Sequence, residues 1–188
     1  MNTGRVLLLA VLALASCQKE APPENALFYT KNTAGGTPMM DFDSPEGRFS
    51  CLAPSNWDMR PEKDLDARKG AAFTRLDAAI TILRYPESEP GKVDAGKYAE
   101  TFWQTDPNGK QPEIKKETVA GATVLRFHQV RSTLIPHSKT LRPPDRYEYA
   151  LIPVPGGFYE IQYRAPVETY EMTMPVFEAV VRSFKPKS

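Results

Sequence analysis

The sequence predicts an α+β domain in which a mostly antiparallel β-sheet carries helices packed on its faces. Three observations predict it. Several short runs alternate apolar and polar side chains and are bounded by turn-forming residues. Two segments, Asp94 to Gln104 and Pro175 to Phe184, instead place apolar residues at helical spacing. Between those helices lie four strand-like runs whose short connections join neighbours antiparallel.

The first element is a leader. Arg5 precedes an apolar run from Val6 to Ala15, ten residues long, about half the ~20 a helix needs to span a bilayer. A charged start, a short apolar run and small residues before a break form the layout of a secretory signal. Leu14-Ala15-Ser16 followed by Cys17 resembles a bacterial lipoprotein signal. That resemblance implies cleavage after Ser16 and a membrane anchor on Cys17: a diacylglyceryl thioether and an N-acyl chain of the palmitate class. Two or more chains make anchoring stable. Gln18, where inner-membrane retention uses Asp, favours the periplasmic face of the outer membrane, or the outer face of the cell membrane if the source has only one.

The predicted domains are therefore a signal peptide over 1–16, a lipidated cysteine and flexible tether over 17–43, and a folded domain over 44–188. Pro, Gly, Thr and Asn around Ala34-Gly35-Gly36-Thr37-Pro38 mark the tether, whose r.m.s. reach is ~25 Å. Leu27-Phe28-Tyr29 interrupts it, and whether residues 26–30 dock on the domain stays open. Lys and Arg number 24 and Asp and Glu 23, so no overall field draws the chain to nucleic acid.

Within the domain, Phe49, Cys51 and Ala53 alternate with polar neighbours up to Pro54, a strand. Cys51 reads as a small buried thiol, left without an intrachain partner once Cys17 is lipidated. Trp57 covers an edge of the core. Lys69 to Leu76 and Ala78 to Tyr85 read as adjacent strands, with Ile80 and Ile82 on one face. The helix from Asp94 carries Ala95, Tyr98, Ala99 and Phe102 on one stripe, and Asp94 caps it. Ile114 to Val119 and Thr123 to Arg131 flank Ala120-Gly121-Ala122, with Leu125 and Phe127 facing one way and Val124 and Val130 the other. Arg146 to Val154 and Phe158 to Arg164 flank Pro155-Gly156-Gly157. A two-residue Gly156-Gly157 turn would set Ile152 opposite Ile161 and Ala150 opposite Tyr163. The last helix starts at Pro175, with residues 167–174 able to extend it backwards.

The Phe49-Ser50, Pro54, Trp57 start, the Gly157-Phe158-Tyr159-Glu160-Ile161-Gln162-Tyr163 strand and the Pro175-Val176-Phe177 helix ending in Ser183-Phe184-Lys185 resemble the PsbP-like superfamily. Its members include the extrinsic photosystem II subunit, the yeast Ran-binding Mog protein and bacterial lipoproteins of the DcrB type. The resemblance covers residues 46–186 and implies an α/β/α sandwich with accessory or assembly roles, mostly without enzymatic activity. It transfers no functional residues.

The residues themselves point away from catalysis. His128 alternates with apolar residues on a strand and His137 sits in a Pro-flanked loop. Neither belongs to a spacing that ligates zinc, so no metal and no cofactor is expected. Ser138 beside His137 lacks the GxSxG context of a nucleophile. Asp58, Glu62, Asp64 and Asp66 lack the Gly and terminal Glu of a calcium loop. Charge is segregated, however. Residues 120–147 hold five cations against Asp145 alone, and residues 41–66 hold seven acids against three cations. Arg131, Lys139, Arg142 and Arg146 are thus the candidate patch for an anionic envelope partner. The expected function is a lipid-anchored, non-enzymatic accessory factor that binds another envelope protein. The alternative is a module for a small apolar or anionic ligand held by Tyr147, Tyr149, Tyr163 and Arg164.

Overall fold

The computed structural model describes residues 33–63, 69–87, 94–101, 112–132 and 143–187. In chain order the elements are β1 (Thr33–Ala34), β2 (Thr37–Asp43), β3 (Phe49–Pro54), β4 (Asp58–Lys63), β5 (Lys69–Arg75), β6 (Ala78–Pro86), α1 (Ala95–Thr101), β7 (Lys115–Val119), β8 (Ala122–Arg131), β9 (Asp145–Val154), β10 (Gly157–Pro166), α2 (Tyr170–Ser183) and β11 (Lys185–Pro186). They form two antiparallel sheets. One has seven strands in the order β4-β5-β6-β10-β9-β8-β7, the other four in the order β1-β2-β3-β11. The α+β class and the antiparallel pairing agree with the sequence reading.

Alternation builds the large sheet. Phe73, Ile80, Ile82, Ala150, Ile161 and Tyr163 point to one face and are buried against α2 and the small sheet. Helix α2 lays Val176, Phe177, Val180 and Val181 on that face, the stripe its spacing predicts. Phe42 meets Phe73 edge-on at 5.3 Å, and Phe49 stacks on Phe184 at 5.3 Å, which joins the small sheet to the large one and to the end of α2. The opposite face carries Tyr85, Leu125, Phe127, Tyr149, Leu151 and Phe158, and α1 covers part of it with Ala95, Tyr98 and Ala99. The Asp94 carboxylate accepts the Lys97 N–H at 2.8 Å, the expected cap. Phe102 lies outside the described residues. Trp57 and Cys51 are both buried, as expected.

Two boundaries differ from the sequence reading. Residues 33–43, assigned to a tether, form β1 and β2, so the folded unit begins no later than Thr33. The Gly35-Gly36 pair is a hairpin turn with φ of +53° and +77°, which glycine adopts without a Cβ clash. A Cβ at Gly35 would stand 3.1 Å from the Pro175 ring, so the turn packs against α2. The rest of the proposed tether, 17–32, lies outside the described residues, as does the signal peptide.

In the β9–β10 hairpin the turn residues are Pro155 and Gly156, and Gly157 pairs with Val154. Ile161 therefore stands opposite Ala150, and Tyr163 opposite Glu148. Gly157 cannot be spared for the turn because it also pairs with Pro86 on β6, where a Cβ would fall 2.0 Å from the Tyr85 carbonyl. The pairing moves by two residues in total, so both faces keep the side chains assigned to them. Helix α2 starts at Tyr170 and runs through Pro175, so residues 170–174 extend it backwards as the sequence allows. Proline there forgoes the bond to the Glu171 carbonyl, while Tyr170 at the start of the helix is buried.

Candidate functional site

On the α2 face, inward positions of β8 and β9 carry ions where apolar residues are the norm. Arg126 follows Val124 on the buried side of β8 and is 6% exposed. Its guanidinium lies 4.9 Å from the Phe177 ring centre and forms an ion pair with Glu178 of α2. Glu178 also faces Arg182 at 3.7 Å. Two rungs along, Arg146 lies 4.1 Å over the Tyr170 ring and reaches Glu171 at 3.4 Å. The Tyr170 hydroxyl donates to the Glu148 carboxylate at 2.7 Å. Burial, and then that acceptor, push the Tyr170 hydroxyl well above its ordinary range.

These pairs frame a groove of about 470 Å³ along α2, lined by Glu171, Met174, Pro175, Glu178, Ala179 and Arg182. Its apolar floor and charged rim of both signs can hold a side chain of a partner protein. A second groove of about 580 Å³ runs between β2, β3 and the end of α2, with Asp41, Asp43, Arg182 and Lys185 among its walls. Cys51 lines it from beneath, its thiol pushed up to about 12 by burial and by Asp43.

The α1 face is aromatic. Tyr85 stacks on Phe158 at 5.0 Å, Phe127 stacks on Tyr149 at 4.6 Å, and the Tyr98 hydroxyl donates to the Tyr85 hydroxyl at 3.3 Å. Glu160, 3% exposed, lies among them. Burial, with Glu160 next in weight, raises the Tyr98 hydroxyl, and burial raises that of Tyr149 against the opposing pull of Arg131.

The residues singled out in the sequence do not all converge. Arg131 lies on the α1 face over Tyr147 at 5.2 Å, and its Nε–H donates to the Gln129 side-chain Oε1 at 3.0 Å. Arg146 lies on the α2 face. Lys139 and Arg142 are outside the described residues, as are His137, Ser138, Asp64 and Asp66. Tyr147 and Tyr149 share the α1 face with Arg164, but Tyr163 points to the α2 face, where its hydroxyl donates to the Tyr170 carbonyl at 2.8 Å. Those four do not form one ligand site, because residues one apart on a strand face opposite ways. His128 is exposed on β8. Among the described residues no three His, Cys, Asp or Glu side chains gather as metal ligands, and no helix is long and apolar enough to cross a membrane.

The sequence reading missed the Arg126–Glu178 and Glu148–Tyr170 pairs. A signal was present: Arg126 and Glu148 fall on positions that the alternation assigns to the buried face.

No family model and no curated protein matches the sequence. Solved structures do match the fold. Cyanobacterial PsbP (CyanoP) from Synechocystis sp. PCC 6803 superposes with a TM-score of 0.52 at 12% identity, over 84% of this chain and 96% of that one. The Ran-binding protein Mog1p of Saccharomyces cerevisiae gives 0.51 at 12% identity, over 80% of this chain and 96% of its own. At these identities the likeness concerns the fold, which is PsbP/Mog1-like.

Proposed function

We propose that this PsbP/Mog1-like domain is the body of a lipid-anchored cell-envelope protein that acts without catalysis, as an accessory or assembly factor, by binding another protein. Cys17 carries the acyl chains, and the domain stands on the periplasmic face of the outer membrane, or on the outer face of the cell membrane where there is only one. Leu14-Ala15-Ser16-Cys17 at the end of a short apolar run is the observation that carries this reading. The protein-binding part draws support from the Ran-binding description of Mog1p, which has a similar fold. It also draws on the α2 groove, where an apolar floor between Glu171, Glu178 and Arg182 has the make-up of a docking surface.

The test is cross-linking in intact cells with a photoreactive residue at Ala179, beside a Cys17→Ala form. A defined protein adduct that depends on Cys17 is the expected result. Adducts no stronger than those from a label at the far Ala120 turn would refute protein binding through the groove. Mass spectrometry of a native N-terminus without acyl chains would refute the anchor.

A further inference from the structure

Leu76 occupies a position that folding gives it no reason to hold. It is the first residue of the two-residue Leu76-Asp77 turn between β5 and β6, with φ of +52° and 98% of its surface exposed. Turns of this kind favour Gly, Asn or Asp, because a branched side chain crowds the backbone at positive φ. Here a large apolar side chain stands fully in water on a strained backbone.

It is not isolated. Continuing the β6–β10 ladder beyond Ala79 and Arg164 brings Leu76 level with Val167, which is 44% exposed and tied by its N–H to the Pro144 carbonyl at 3.1 Å. Met172, in the first turn of α2, is 71% exposed, and Val130 near the end of β8 is 51% exposed. Met59, 46% exposed, pairs with Phe73 on the same half of the sheet. Among the described residues every exposed large apolar side chain thus lies toward one end of the large sheet.

Thr33, the first described residue, stands at that same end. Thr33 pairs with Pro38, whose carbonyl accepts the Ser55 N–H at 2.9 Å just before β4 begins. The β1–β2 turn rests on Pro175 and the Met172 carbonyl. Cys17 lies sixteen residues before Thr33, and that length spans at most ~55 Å. Among the described residues the charges at this rim nearly balance: Arg75, Arg131 and Arg146 stand against Asp77, Asp145, Glu168 and Glu171, with Arg146 paired to Glu171. The described residues thus give the rim an apolar attraction to lipid and no strong preference for anionic headgroups.

We propose that this rim, led by Leu76 and Val167, seats in the headgroup–acyl boundary of the bilayer that holds Cys17, which fixes the orientation of the domain and leaves the α2 groove facing sideways. The inference rests on the reading of Cys17 as acylated. Its test uses the full acylated chain on phosphatidylcholine vesicles, with an environment-sensitive fluorophore on Asp77→Cys and Leu76 kept intact. Burial keeps Cys51 from competing for the label. Flotation of the protein with vesicles reads the anchor separately from the rim.

The expected result is a blue-shifted emission, quenched by lipids that carry a nitroxide near the headgroup. A label on Ala120→Cys, at the opposite end of the sheet, should stay water-like. Leu76→Asn, which suits the positive φ, should abolish the shift at 77 without lowering the melting temperature. Protein that floats with the vesicles while the label at 77 stays in water overturns the inference and leaves the anchor standing. A shift that needs phosphatidylglycerol, or one seen equally at 120, overturns it in the same way. Protein that fails to float overturns the anchor and the inference together.

Discussion

The Ser183 hydroxyl accepts the Leu52 N–H at 2.8 Å and donates to the Ala179 carbonyl at 2.6 Å. β11 pairs Lys185 with Ser50 and Pro186 with Phe49, and the Lys187 N–H donates to the Arg48 carbonyl at 2.8 Å. Ser183 stands opposite Leu52 in the same register, so the end of α2 supplies a rung that the two-residue strand is too short to make. Ser183→Ala leaves the Leu52 N–H without that acceptor and should cost about 1–3 kcal/mol. Urea unfolding measures the loss, and hydrogen exchange should quicken at Leu52 before the neighbouring amides. An unchanged exchange rate there would show that the Ser183 hydroxyl does not protect the Leu52 amide.

The Arg126–Glu178 pair is nearly dry on one side only: the arginine side chain is 7% exposed and the glutamate 29%. Glu178→Ala strands a buried guanidinium and should destabilise the fold by about 1–3 kcal/mol, below the range for fully buried pairs because water reaches the carboxylate. The double change Arg126→Met with Glu178→Leu should recover most of that loss. A double-mutant cycle on thermal or urea unfolding reads the coupling directly.

Leu76→Asn should leave stability unchanged or raise it by up to about 1 kcal/mol, since asparagine tolerates the left-handed backbone that strains leucine. A clear drop in melting temperature would mean that Leu76 supports the fold in ways its 98% exposure does not reveal.

Alkaline pH should weaken the fold in two stages. Burial raises Cys51 from 9.0 to about 12 and Tyr163 from 10.0 to about 12, and it raises Tyr98, Tyr149 and Tyr170 as well. A group held above its unfolded value contributes stability that is complete below that value. The contribution declines as pH climbs toward the folded value, because the unfolded chain ionises first. Stability should therefore be flat up to about pH 8.5, fall first through Cys51 and then more steeply above pH 10, by at most about 1.4 kcal/mol per pH unit for each group. Cys51→Ala should remove the earlier stage and leave the later one. A melting temperature that is level up to pH 11 would contradict the buried hydroxyls.

Side-chain periodicity was enough to order the chain. It separated the two helices from the strands and put Leu125 and Phe127 on the face opposite Val124. It also buried Cys51 and marked the α2 stripe of Val176, Phe177, Val180 and Val181, because repeats of two and of 3.6 residues are written in local spacing. Arg126 and Glu148 were legible as charges in buried positions, but their partners were not. Glu178 is fifty-two residues from Arg126, and only the docking of α2 on β8 brings them together.

Tertiary structure also decided what local signals misplace. Gly35-Gly36 reads as linker until β3 supplies Cys51 and Leu52 as the partners of Phe42 and Asp41. Gly157 reads as a turn residue until β6 claims it as a rung. In both cases a short polar or glycine-rich segment carries too little apolar pattern to choose its state, and the free energy of pairing with a distant strand makes the choice.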